Sequence, residues 1–199
     1  MKRLLALAAL LLPVPALAEE GELIPLSEIS SFFNDLTTVE AQFLQRNDDG
    51  SLSTGRLLIQ RPGRARFEYD PPAGALVLAS GGQVAIFDDK SNTDPEQYPL
   101  RRTPLALILA KTVDLERADM VIGHETDGET TSVIAQDPEN PELGTIQLVF
   151  APEPLELLGW IVTDVSGSQT GIELRTFEAG KRLPSRLFSI PIEIQRRER

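Results

Sequence analysis

Few side chains in this sequence could do chemistry on their own. Its 199 residues contain no cysteine and a single histidine. Without cysteine there are no disulfides, redox thiols, thiolate metal ligands or amino-terminal lipid anchor. His124 follows Gly123 among acidic neighbours in a segment that reads as a strand. A lone imidazole there is structural or solvated rather than catalytic, and zinc would have to rest on carboxylates alone. No nucleophile elbow, phosphate loop or dinucleotide fingerprint occurs. Asn47-Asp48-Asp49-Gly50 lacks the twelfth-position glutamate of a calcium loop and fits a tight turn better. The other carboxylates are scattered over turns and strand edges, so none pair as acid and base. These residue types point away from an enzyme, a metal site or a bound cofactor.

Residues 60–69 carry a different kind of chemistry. Ala65, Phe67 and Tyr69 share one face of an extended strand, while Arg64, Arg66 and Glu68 share the other. Arg61 precedes a proline, which biases it to an extended backbone at the strand's entrance. Its guanidinium has five donors, enough to bridge several helix-end carbonyls. Such a strand suits an ordinary core, with Arg61 a surface cation. It equally suits the wall of an apolar cavity with a polar latch.

The elements around it favour one β-rich domain. Residues 1–18 read as an export signal, with Lys2 and Arg3, a short apolar run, and Ala16-Leu17-Ala18 for cleavage. Removing them would take the net charge from −11 to about −13, against nucleic acid or an anionic membrane surface as main partner. The rest, residues 19–199, is long enough for one core. Leu26, Ile29, Phe32, Phe33 and Leu36 recur at helical spacing, with Ser27 or Ser30 near the start as caps. Extended segments follow at 39–46, 52–60, 64–70, 75–80 and 83–88, separated by Gly- and Pro-rich turns. Thr103-Pro104 starts a helix that is apolar nearly all round, and a further turn follows Asp114. Strands resume at 120–126, 130–136, 145–150, 155–164, 171–177 and 187–190, before a basic, solvated tail at 195–199. A sheet that curls without closing needs an apolar helix over its mouth.

These fragments, in this order, resemble the LolA family. They include Phe43-Leu44-Gln45, Gly55, Arg61-Pro62-Gly63-Arg64, Phe67-Glu68-Tyr69-Asp70-Pro71-Pro72 and Ser80-Gly81-Gly82. Thr103-Pro104-Leu105, Leu148-Val149-Phe150, Trp160 with Asp164, and Phe188-Ser189-Ile190-Pro191 complete the set. The resemblance implies a mainly β (α+β) fold, an incomplete antiparallel β-barrel whose hydrophobic cavity is covered by an α-helical lid. It implies a monomeric periplasmic chaperone that takes acylated lipoproteins from an inner-membrane releasing ABC transporter towards an outer-membrane receptor such as LolB, or none. Arg61 would be the lid latch. Phe43, Phe67, Tyr69, Phe150 and Trp160 would line the cavity, with Leu107 and Ile108 beneath the lid, although core packing accounts for each equally well. The chain ends soon after Pro191, so beside the family the carboxy-terminal extension that helps enforce one-way transfer reads as missing or reduced, which leaves the direction of transfer open. The alternatives on the same fold are an RseB-like envelope sensor and, less favoured, a lipid hydrolase.

Overall fold

The computed structural model describes residues 23–91, 93–116 and 119–198. The export signal expected over residues 1–18 lies outside them. Helix α1, Leu26–Asp35, opens the described chain and buries Ile29, Ser30 and Phe33. Its cap is Pro25, whose carbonyl accepts from the Glu28 and Ile29 amides at 3.0 and 3.1 Å. Neither Ser27 nor Ser30 caps it. Ser30 sits mid-helix and donates to Leu26 O at 2.7 Å.

Five of the strands that follow match the alternation closely: β1 Thr38–Arg46, β2 Leu52–Gln60, β3 Arg64–Tyr69, β4 Ala75–Ser80 and β5 Gln83–Asp88. A short β6, Glu96–Pro99, was not foreseen, because Glu-Gln-Tyr-Pro shows no apolar alternation. After the lid come β7 Val121–Thr126, β8 Thr131–Gln136, β9 Thr145–Pro152, β10 Leu155–Thr163 and β11 Gln169–Ala179. All pair antiparallel in one sheet of order β6-β5-β4-β3-β2-β1-β11-β10-β9-β8-β7.

The two edge strands, β6 and β7, are consecutive in the chain. The segment joining them, residues 100–120, holds a 3-10 turn at Leu100–Arg102 and the short helix α2, Leu105–Ile108. Thr103 does not cap α2; its hydroxyl donates back to Leu100 O at 2.8 Å. Val84 on β5 and Val133 on β8, near opposite edges of the sheet, join one buried cluster with Phe33, Phe43, Phe150 and Ile108. Side chains from both flanks meet only if the sheet curls round them. The fold is therefore an open antiparallel barrel, filled from within, with α1 and residues 100–115 packed against the same core.

The outer face departs from expectation. Residues 187–190 are not a strand: Ser185–Phe188 is a 3-10 turn, and Ile190–Arg197 is helix α3. Ser189 caps α3 by accepting from the Ile192 amide, and Pro191 occupies the first turn. Leu183, Phe188 and Ile190 cover a second apolar cluster of Leu58, Leu76, Leu78, Ala85 and Phe87. Arg66, expected on a polar face, is 6% exposed beneath α3 and donates to Glu193 Oε2 at 3.2 Å and Leu187 O at 3.1 Å. Of the tail expected to be solvated, the part up to Arg197 is the end of α3, and Arg197 bonds Glu193 and Asp89 and lies 4.9 Å over the Phe87 ring.

Candidate functional site

Arg61 follows β2 in the tight turn to β3, where Gly63 takes a φ of 72° that favours glycine. From there Arg61 Nη1 donates to Leu36 O at 3.4 Å, and Nη2 to Ala110 O at 2.5 Å. Both acceptors lie just past the carboxy-terminal ends of α1 and α2, where unpaired carbonyls carry partial negative charge. The guanidinium also sits 5.9 Å from the Phe33 ring centroid, and burial pulls its pKa below the usual arginine value. Among the described residues its Nε is buried without a hydrogen-bond partner. The expected latch residue thus bridges α1 and the lid.

Three further contacts, none singled out by sequence, join the lid to α1 and to the turn between β2 and β3. The Gly63 amide donates to Leu109 O at 2.8 Å. The Asn34 carboxamide both donates to Val113 O and accepts from Val113 N–H, at 2.8 and 2.9 Å. Ser30 Oγ accepts from the Leu115 amide at 2.9 Å. The two pairings made by α1 span 79 and 85 residues of chain, so no local pattern could reveal them.

The expected wall residues fall into two groups. Phe43, Phe67, Tyr69 and Trp160 meet edge-to-face: Phe43 lies 5.8 Å from Phe67 and 5.2 Å from Tyr69, and Phe67 lies 6.3 Å from Trp160. Gly55 permits this, since a β-carbon there would stand 2.2 Å from Glu68 O and 2.8 Å from the Phe43 ring. Phe150 packs instead with Phe32 and Phe33 of α1, each at 5.9 Å. Tyr69 OH donates to Gln45 Oε1 at 2.6 Å; burial, then the nearby Tyr98, push its pKa up to about 12. His124 serves position rather than chemistry, its Nε2 lying 2.9 Å from Ile24 O beside the start of α1.

The interior is closed at the aromatic cluster but not under the lid. A cleft of about 290 Å³ opens there between Pro104, Leu107 and Ala110 on one side and Met120, Ala135 and Ile146 on the other. Leu107 faces this cleft, whereas Ile108 is 2% exposed within the core. The arrangement offers apolar surface and room behind a cover.

Residues 34–191 match the family described as Outer membrane lipoprotein carrier protein LolA. The chain belongs to the LolA family. Among relatives of this LolA chain, the outer-membrane lipoprotein carrier protein of Methylococcus capsulatus is 30% identical over 183 residues, covering 86% of this chain and 85% of its own length. The protein of the same name from Chromohalobacter salexigens is 24% identical over 193 residues, covering 93% and 90%. A solved domain from Vibrio parahaemolyticus, whose name refers to outer-membrane lipoprotein sorting, aligns with a TM-score of 0.52 at 8% identity over 84% of this chain and 96% of that one. That likeness shows the fold alone.

Proposed function

We propose that this LolA-family protein is a periplasmic carrier that holds the acyl chains of lipoproteins between the inner and outer membranes. Residues 19–199 would form one carrier domain after loss of the signal at 1–18. Supply by an inner-membrane releasing transporter, and delivery to an outer-membrane receptor, follow from that reading. The observation that carries it is an apolar interior under a lid joined to the barrel by a few polar bonds, with a cleft already present beneath. A carrier needs this balance. Each buried methylene is worth about 0.8 kcal/mol, so one long acyl chain represents on the order of 10 kcal/mol. A wide, preformed cavity would hold its cargo too tightly to release it. Here the aromatic cluster must part and the lid must shift, which lowers net affinity below that of the final membrane.

The test is native mass spectrometry after mixing the protein with lipoprotein-loaded inner-membrane vesicles. A one-to-one soluble complex that depends on the client's acyl chains is expected; failure to extract any acylated client sinks the proposal. Incubation with a lipid ester separates a carrier, which takes it up stoichiometrically, from a hydrolase, which turns it over.

A further inference from the structure

The cleft under the lid runs on into a second space of different chemistry. Arg101 and Leu143 line both, and beyond them lies a trough of about 480 Å³. Apolar side chains such as Leu107, Met120 and Ile146 dominate the cleft. The trough instead takes its walls from Arg101, Arg102, Asn140, Glu142, Asp164 and Val165. It presents two guanidiniums, a carboxamide and two carboxylates, so donors and acceptors stand together. Val165 is 72% exposed.

The trough is built from turns that are already set. Apart from the two arginines, its walls belong to residues 137–144, between β8 and β9, and residues 164–168, between β10 and β11. In the first connection, Asn140 Nδ2 donates to Asp137 Oδ2 and Gln136 Nε2 to Pro141 O, each at 3.0 Å. In the second, Asp164 Oδ1 accepts from the Ser166 and Ser168 amides at 2.8 and 3.1 Å. Gly144, with a φ of 92°, lets the two pack together, since a β-carbon there would stand 2.1 Å from Thr163 O.

We infer that this trough binds the polypeptide of the cargo: the residues that follow the acylated one lie along it, extended, while the acyl chain enters the cleft. The inference rests on the carrier reading and adds to it the part of the client that is not lipid. An acylated protein is an apolar chain joined covalently to a peptide, so its site must pass from apolar to polar over a short distance. Arg101 and Leu143 mark that passage. The arginines suit peptide carbonyls and the carboxylates of Glu142 and Asp164 suit peptide amides, so a backbone is held whatever its sequence. Two carboxylates beside two arginines disfavour an anionic headgroup, whereas a neutral backbone uses both signs. These polar contacts are exchanged for water on release, so the gain in affinity stays small.

Two ligands loaded from phosphatidylcholine vesicles separate the trough from the cleft: a dipalmitoylated single-residue amide, and the same lipid on a short uncharged peptide. The longer ligand should bind about tenfold tighter, the worth of one or two net hydrogen bonds. Arg102→Ala with Glu142→Ala removes one cation and one anion from exposed positions that line the trough and not the cleft, so net charge is kept. It should bring the affinity for the longer ligand down to that for the shorter one. Equal affinity of the unaltered protein for both ligands overturns the inference, as does a double variant that weakens both alike or neither. Dipalmitoylphosphatidylglycerol bound as tightly as the longer ligand, and weakened by the same two substitutions, makes the trough a headgroup site and also overturns it. A benzophenone within the bound peptide should cross-link to residues 140–143 or 164–166, and adducts confined to other parts of the molecule overturn the placement. If the shorter ligand itself fails to bind, the carrier reading falls and the inference with it; if it binds and the peptide adds nothing, the trough alone falls.

Discussion

Arg61 keeps a cation in a half-buried site because two helix-end carbonyls accept its hydrogens. Those bonds exist only with the lid docked, so they add to the cost of opening. Each is worth about 1 kcal/mol. Arg61→Leu should therefore strengthen retention of an acylated peptide and slow its transfer to vesicles about tenfold; transfer at the wild-type rate would remove the latch role. Tyr69 makes a separate prediction at alkaline pH. Its folded pKa of about 12 lies above the ordinary tyrosine value of 10.0, so the folded state holds its proton more tightly. The resulting stability is fully present below about pH 10 and is lost as pH rises towards about 12, by on the order of 2 kcal/mol. Urea unfolding across that window should show the fall, and Tyr69→Phe should flatten it. The residue types alone showed that Arg61 could bridge carbonyls, but not which carbonyls, since Leu36 and Ala110 are 25 and 49 residues away.

The strands were legible because their physics is local: side chains alternate with period two, and Gly or Pro turns end each run. β2, β4 and β5 follow the expected bounds to the residue. Gly55 shows what alternation leaves out. It lies opposite both Phe43 and Tyr69 in the register, and its missing side chain lets Phe43 lie across β2. Gly55→Ala should lower stability by about 3 kcal/mol, read as a reduced midpoint in urea, because its β-carbon would meet the backbone of β3. An unchanged midpoint would mean that β2 and β3 can separate without cost. The reading of residues 187–190 as a strand failed for a local reason. Leu187 to Ile190 is short enough to fit either period, and the Ser189 cap with Pro191 in the first turn outweighs it.

At the scale of the whole molecule, the sheet buries both faces over β2 to β5, one against its own interior and one against the carboxy-terminal segment. The second contact centres on Arg66 and Glu193, whose side chains are 7% and 8% exposed. Arg66→Met removes the buried partner of Glu193 Oε2 and leaves the carboxylate to Arg197 and the exposed Arg196, so it should cost about 3 kcal/mol in denaturant unfolding. Arg66→Met with Glu193→Leu should recover most of that loss; additive losses would show that the pair is not coupled. By itself the sequence determined the meander, the cover at Pro104 and the family, because alternation, turns and ordered motifs are read along the chain. Only the tertiary structure decided what lies over each face. Arg66 looks solvent-facing in its own strand, and it is buried because a helix 127 residues later docks on it. A residue's period sets which way it points; burial depends on what distant segment arrives there.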